Sequence, residues 1–288
     1  MNYKMMGRLI AQILLAEAAF MVPALIISLA GQDSQAILGF ALSILVILAV
    51  AGVLMFFARK AKKGFYAREG MVCVGLAWIV MSLLGCLPFW ISREIPSYLD
   101  GLFEIVSGFT TTGASILSNV EGLSNGMLYW RSFSHWVGGM GVLVFLLAVV
   151  PVSGRNDGFT MHLLRAESPG PNVAKLVPRI RSTAGILYIL YIVLTVIDFL
   201  LLIVGKMPVL EAVCTAFGTA GTGGFGVKND SMASYSPYIQ NVCTVFMLLF
   251  GVNFSCYYLL IMKQVKSVYE DEELRLYVGM VLGSVLLI

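Results

Sequence analysis

Long apolar runs separated by short polar loops dominate the chain. Six runs reach the length of about 20 residues that a helix needs to cross the hydrocarbon core of a bilayer, and a seventh begins near Leu274. The six runs are Leu9–Ala30, Ala36–Ala58, Met71–Ile91, Met127–Val150, Ser182–Val204 and Ile239–Met262. This pattern predicts an all-α polytopic membrane protein.

Two further apolar runs, Tyr98–Phe109 and Pro208–Phe217, are too short to cross the bilayer. Each is followed by a stretch that is rich in threonine and glycine. We expect each run to be a re-entrant pore helix that enters the membrane and returns as an extended loop.

Composition and charge support this interpretation and orient the chain. Hydrophobic residues make up 59% of the sequence and charged residues 12%, about half the charged fraction of a soluble domain. Fifteen of the 19 lysines and arginines lie at the N-terminus or in the loops after the second, fourth and sixth runs, so this side is cytoplasmic. The remaining four are Arg93, Arg131, Lys206 and Lys228. The N-terminus is then cytoplasmic, and both short runs must enter from outside.

The plan of helix, re-entrant pore helix, filter loop and helix occurs twice in the same orientation, after two extra transmembrane helices. An offset of 110 residues matches Gly113 with Gly223 and Thr112 with Thr222. Parallel repeats of this kind differ from the inverted repeats of many secondary transporters. The predicted units are two N-terminal helices (1–66), a first repeat (67–153), a cytoplasmic connector (154–178), a second repeat (179–264), and a loop with the start of a third repeat (265–288).

The two loops are candidates for an ion-selectivity filter. Irregular backbone at membrane depth is tolerated only when it is buried in protein or lines a water-filled cavity. A threonine- and glycine-rich strand there presents carbonyl oxygens that can replace the hydration shell of a cation, as in potassium-channel filters. The negative C-terminal end of each pore helix also favours a cation. The candidate filter residues are Thr110, Thr111, Thr112, Gly113, Ala220, Gly221, Thr222 and Gly223.

Four stretches give the chain a specific resemblance to the Trk/Ktr/HKT superfamily of potassium transporters. Residues Trp130–Gly141 resemble the second helix of a Trk-type repeat, and Arg165–Pro171 resembles the connector of that family. Ala216–Gly226 resembles its second filter loop, and Gly251–Phe254 resembles an inner helix in which Asn253 supports the pore. The two extra N-terminal helices are more similar to the Trk branch than to the Ktr branch.

The resemblance implies potassium uptake across the bacterial cytoplasmic membrane. The family builds one pore from four repeats, so the chain is expected to be truncated after the second. Glycine at positions 113 and 223 implies potassium selectivity, with the ion held by the backbone carbonyls of Thr111, Thr112, Gly221 and Thr222. The resemblance also implies a homodimer, surrounded by membrane lipid, on a cytoplasmic regulatory ring of the TrkA type. That ring, and not this chain, would bind NAD or ATP/ADP.

Other functional classes are less well supported by the sequence. The basic residues form no single patch, so no nucleic-acid partner is expected. Motifs of intramembrane enzymes are absent from the sequence, so an enzyme is not expected. The main alternative is a secondary transporter of another solute or cation, with broken helices at the midplane. The sequence leaves open whether transport is channel-like or coupled to protons or sodium. It also leaves open whether Asp198 is functional or a cap near water, and favours an interhelical contact for Glu17.

Overall fold

A computed structural model describes residues 2–59, 67–141 and 180–287, and in these ranges the protein folds as helices joined by short loops. The described helices are α1 (Tyr3–Ala30), α2 (Ser34–Phe57), α3 (Ala67–Gly85), α4 (Leu87–Ile91), α5 (Tyr98–Phe109), α6 (Asn125–Met140), α7 (Ile180–Val204), α8 (Val209–Ala220), α9 (Pro237–Gly251), α10 (Phe254–Ile261), α11 (Val265–Tyr269) and α12 (Glu272–Leu287).

Five helical stretches account for the membrane crossings that the described residues allow by length and composition. Helices α1, α2 and α7 are each long and apolar enough, and so is Glu69–Ile91, which combines α3 with α4. Helices α9 and α10 qualify only when they are counted together. The predicted runs from Leu9, Ala36, Met71 and Ser182 correspond to the first four of these stretches.

The N-terminal pair α1 and α2 packs against the first repeat. Gly39 of α2 lies so close to α4 that a Cβ atom there would be 2.8 Å from the carbonyl oxygen of Pro88. Many large apolar side chains of α2 remain exposed, including Leu45 and Phe56. A helix that is apolar all round and buried on one side only is suited to a lipid environment.

The third span is broken between α3 and α4. Pro88 lies at the start of α4 and lacks the N–H group that a continuous helix needs at this position. Trp130 of α6 donates its indole N–H to the carbonyl of Gly85 over 2.9 Å. A side chain of the first repeat therefore satisfies a carbonyl at the end of α3, as burial requires.

The second repeat follows the same order as the first, with an offset of 111 residues. The pore helices begin at 98 and 209 and end at 109 and 220, and the inner helices α6 and α9 end at 140 and 251. The sequence-based offset of 110 is therefore one residue too short.

The inner helix of the second repeat is not the single span predicted for Ile239–Met262. Helix α9 ends at Gly251, and α10 begins at Phe254 after a bend of 86°. Asn253 stabilises the new helix, because its side-chain oxygen accepts the backbone N–H of Ser255 over 2.9 Å. Helix α6 ends at the equivalent point, where Gly141 has a φ of 74°.

Several predicted boundaries lie outside the described residues. They include the end of the N-terminal unit at 66, the last part of the Met127–Val150 run, the connector 154–178 and the start of the second repeat at 179.

Close packing of α6 on the N-terminal pair predicts a strong effect of substituting Gly126. A Cβ atom there would overlap the hydroxyl of Ser28 and lie 2.8 Å from the carbonyl oxygen of Ala24. We expect Gly126→Val to lower the stability of the detergent-solubilised protein by at least about 1–3 kcal/mol, the usual cost of overpacking. Thermal unfolding followed by size-exclusion chromatography measures this change.

Gly52→Val is the matched control, because a Cβ atom at Gly52 of α2 meets no described atom within 4 Å. Equal melting temperatures for the two variants would contradict the packing of α6 on α1.

Candidate ion-selectivity filter

The two loops after the pore helices have the same backbone conformation. Thr111 and Thr222 both have a φ of 54°, which is unusual for a residue with a branched side chain. Two residues later, Gly113 has a φ of 74° and Gly224 has a φ of 77°. The structural equivalent of Gly113 is therefore Gly224 and not Gly223.

At the start of each loop the backbone N–H groups are hydrogen-bonded to the preceding helix, whereas the carbonyl groups are not hydrogen-bonded within the described part of the chain. The N–H groups of Thr112 and Gly223 each donate to a carbonyl five residues earlier, over 2.9 and 3.2 Å. The carbonyls of residues 111–113 and 222–224 accept no hydrogen bond from the described residues. These six residues are half-buried or exposed, so their carbonyl oxygens are accessible and are candidates for binding a cation.

The two loops meet backbone to backbone. A Cβ atom on Gly113 would overlap the carbonyl oxygen of Gly223. A Cβ atom on Gly223 would in turn lie 2.6 Å from Nδ1 of His135. Glycine is therefore required at both positions by close approach, and at Gly113 also by its positive φ.

The remaining predicted filter residues form the ends of the pore helices. Thr110 follows α5, and its hydroxyl donates to the carbonyl of Val106 over 2.7 Å and lies 2.8 Å from the hydroxyl of Thr112. Ala220 is the last residue of α8, and Gly221 follows it as the cap. All eight predicted residues thus lie in the two pore-helix ends and their loops.

Helix α6 lies between the two pore-helix ends because of a pair of glycines. A Cβ atom on Gly138 would overlap the carbonyl oxygen of Phe109, at the end of α5. A Cβ atom on Gly139 would lie 2.9 Å from Cα of Gly221, at the end of α8. The Gly-Gly step of α6 therefore allows one helix to contact both loops.

The buried carboxylate of Glu104, in α5, binds the first loop by hydrogen bonds. Its carboxylate accepts the hydroxyl of Ser115 over 2.6 Å and the backbone N–H of Ile116 over 3.1 Å. It also accepts Nε–H of Arg131 over 2.7 Å, in an ion pair whose side chains are 0% and 2% exposed. Glu104 is not among the site residues predicted from the sequence, although a carboxylate inside a short apolar helix is a signal of a functional site.

Arg131 extends this network to the second loop. Its Nη1 donates to the carbonyl of Gly226 over 2.8 Å, and its guanidinium lies 3.6 Å from the ring centroid of Phe225. The ring of His135 is stacked on Phe225 at 3.9 Å. The charge pattern predicts Arg131 among the basic residues of the outer side, whereas the structure buries its side chain between α5 and the second loop.

The loops also contact each other further out, through Asn229. Its side chain accepts the backbone N–H of Val120 over 2.7 Å and donates to the side-chain oxygen of Asn119 over 3.1 Å. Its own backbone N–H donates to Glu121 over 2.9 Å. One residue of the second repeat is therefore bound by three successive residues of the first.

Two partly buried groups stabilise the outer segments of the repeats. Glu94 accepts both the N–H and the hydroxyl of Ser124 at the start of α6, and burial raises the pKa of this carboxyl. Tyr235 donates its hydroxyl to Glu211 over 2.6 Å, and burial together with this bond raises the pKa of the phenol. Both contacts join a loop to the first turn of a helix.

Three other residues singled out in the sequence lie away from the loop contacts. Asn253 bonds to Glu273 of α12 and to its own helix, and its hydrogen bonds do not reach either filter loop. Asp198 is fully buried near Cys243, so it neither reaches water nor caps a helix among the described residues. Glu17 is fully buried against Gly85, which agrees with an interhelical contact.

Comparison with known proteins identifies the family. The family model described as TrkH, cation transport protein, matches residues 37–287. The chain belongs to the TrkH family. The match covers both repeats and most of α2.

Individual members of the family match along the whole chain. The Trk system potassium uptake protein TrkH of Salmonella typhimurium is 32% identical over 292 residues, which cover 100% of this chain and 59% of the relative. TrkH of Escherichia coli K12 is also 32% identical, over 97% of this chain and 58% of its own. The crystal structure of the potassium transporter TrkH from Vibrio parahaemolyticus has a TM-score of 0.80 and 27% identity, covering 97% of this chain and 57% of that one.

The chain therefore spans less than two thirds of the length of these relatives. The predictions of an all-α, multi-pass membrane fold and of the Trk-type family are confirmed. The matched family is described as a cation transport protein and the relatives as potassium uptake proteins, not as enzymes.

The contact between the outer loops predicts that cysteines at positions 119 and 229 can be cross-linked. We expect Asn119→Cys/Asn229→Cys, with a protease site inserted into the connector 154–178, to stay as one band after cleavage when a short thiol-specific cross-linker is added. The reason is that the two side chains are in direct hydrogen-bond contact. Denaturing gel electrophoresis measures the joined fraction.

Asn119→Cys/Ser234→Cys serves as the control, because the hydrogen bonds of Ser234 stay within its own loop. Cleavage into two fragments for both variants would show that the repeats do not meet in this way.

Proposed function

We propose that the chain forms half of a potassium-selective pore and acts in potassium uptake. The observation that carries this proposal is the paired arrangement of the two loops. Each loop follows a pore helix and donates the N–H groups of its first residues to the last turn of that helix. Each loop also has a row of carbonyls without partners among the described residues. Backbone carbonyls in this arrangement can replace the water around a potassium ion.

The 111-residue equivalence changes the proposed ligands in the second loop. The carbonyls of Thr111 and Thr112 in the first loop correspond to those of Thr222 and Gly223 in the second. Gly221, predicted as a ligand from the sequence, corresponds to Thr110 and begins the turn. We therefore assign potassium to the carbonyls of Thr111, Thr112, Thr222 and Gly223.

Two features of the repeats support a filter over a secondary transporter with inverted halves. The elements recur in the same order with a constant offset at the pore-helix ends and at the inner-helix ends. Both pore helices direct their negative C-terminal ends to the loops, which favours a cation over an anion.

The proposal includes the assembly implied by the sequence resemblance. The relatives are named as parts of a Trk system for potassium uptake. We infer a bacterial cytoplasmic membrane, a homodimer, and a cytoplasmic ring of the TrkA type that binds NAD or ATP/ADP.

Potassium uptake and selectivity are tested together. We expect the complete gene to restore growth at low potassium in cells that lack potassium uptake. Gly113→Ser and Gly224→Ser should lower the ratio of potassium to sodium uptake by about tenfold, because a side chain strains a positive-φ position by about 1–2 kcal/mol. Uptake of the two ions per membrane-inserted protein measures the ratio.

Gly75→Ser is the control, since a Cβ atom at Gly75 of α3 meets no described atom within 4 Å. If the complete protein is inserted in the membrane but does not restore growth at low potassium, the proposed function is contradicted. An unchanged ratio of potassium to sodium uptake in both Gly113→Ser and Gly224→Ser would contradict the assignment of the loops to the filter.

The orientation is tested by thiol labelling. Arg131 is buried, and the other three basic residues of the proposed outer side are still far fewer than the fifteen of the opposite side. This charge difference supports a cytoplasmic N-terminus. We expect Ser118→Cys to react with an impermeant maleimide on intact cells, and Lys266→Cys to react only after the membrane is opened. Both positions are exposed, and the five native cysteines are buried. The reverse labelling order would invert the proposed topology.

A further inference from the structure

We propose that Glu104 and Arg131 are positioning residues for ion selectivity, because their buried ion pair fixes the two filter loops relative to each other. This inference rests on the proposed function of the loops as a filter. It assigns a role to side chains that do not themselves contact the ion.

Glu104 is bound by three donors that only a carboxylate can satisfy together. One oxygen accepts from Ser115 and Arg131, and the other accepts the backbone N–H of Ile116. A glutamine amide would place an NH2 group against one of these donors. A buried donor without an acceptor is costly, so Glu104→Gln should release either the first loop or Arg131.

Arg131 makes three contacts that a lysine cannot reproduce. Its Nε binds Glu104, its Nη1 binds the carbonyl of Gly226, and its planar face covers Phe225. The guanidinium is a rigid fork with several donors, whereas lysine ends in a single compact ammonium group. Arg131 therefore defines the distance between α5 and the second loop.

The second repeat has no ion pair at the positions equivalent to Glu104 and Arg131. With the 111-residue offset, Glu104 corresponds to Thr215 and Arg131 corresponds to Val242. Neither of these side chains can replace a buried ion pair. The outer end of the second loop is therefore held by an arginine of the first repeat. The network connects the two loops and does not stabilise the first loop alone.

A variant that lacks both charges distinguishes a role of the ion pair in positioning the loops from a role in folding of the protein. Loss of one partner of a buried pair leaves an uncompensated charge, whereas replacement of both by neutral residues of similar volume is often tolerated. Glu104→Gln/Arg131→Met should therefore reach the membrane in larger amounts than either single variant. It should still have lost the bond to Gly226, because methionine has no donor.

The experiment uses the complete gene in cells that lack potassium uptake, and measures potassium and sodium uptake per membrane-inserted protein. We expect Arg131→Lys and Glu104→Gln/Arg131→Met to lower the potassium-to-sodium ratio by about tenfold, the effect of one lost hydrogen bond to a charged group. Phe225→Leu, which keeps both charges, should lower the ratio in the same direction. Glu270→Gln is the control, because this exposed carboxylate follows α11 and forms its ion pair with Lys266, four residues earlier, and not with either loop.

A wild-type ratio in Glu104→Gln/Arg131→Met would overturn the inference. If that variant does not reach the membrane, a wild-type ratio in Phe225→Leu overturns it instead. The proposed function is judged separately, by rescue with the wild-type gene and by the effect of Gly113→Ser. The wild-type gene could restore growth and Gly113→Ser could lower the ratio while the Glu104 and Arg131 variants have no effect. That result would contradict the positioning role and leave the proposed function intact.

Discussion

Backbone polar groups at membrane depth must find partners inside the protein, and this constraint explains most of the site. A loop that offers carbonyls to an ion still has to satisfy its N–H groups. Here the pore helices accept the N–H groups of residues 111–112 and 222–224 through their own last carbonyls. Glu104 accepts a further N–H from Ile116. At the start of each loop the N–H groups are therefore bonded, while the carbonyls of residues 111–113 and 222–224 accept no hydrogen bond from the described residues.

The same constraint explains the glycines around the loops. Two strands of bare backbone can approach each other only where side chains are missing, as at Gly113 and Gly223. Helix α6 can pack against the end of α5 and against the start of the second loop because Gly138 and Gly139 have no side chains. Glycine is unfavourable within a helix by roughly 0.5–1 kcal/mol, so its occurrence as a pair in α6 is explained by this close contact and not by helix stability.

Sequence reasoning could predict the features that depend on local hydrophobicity and length. The first pore helix has the predicted bounds, Tyr98–Phe109, because it is bounded by Ser97 as a cap and by the threonines that follow. The offset was wrong by one residue because two adjacent glycines, Gly223 and Gly224, both match Gly113 by residue type. Only the backbone conformation distinguishes them. The bend after Gly251 is not predicted because the run is apolar on both sides of it, so the average hydropathy hides the break that Gly251 and Asn253 mark.

The Glu104–Arg131 pair could not be predicted, because it joins residues from two helices and depends on the three-dimensional contact between repeats. Its burial also argues for a geometric role. A buried ion pair costs desolvation energy that its attraction often only offsets, so it is weak support for stability. This pair, however, binds Ser115 and Ile116 on one side and Gly226 on the other. If the two loops form the proposed filter, a network that contacts both of them supplies the positional accuracy that a dehydrated ion demands of its ligands.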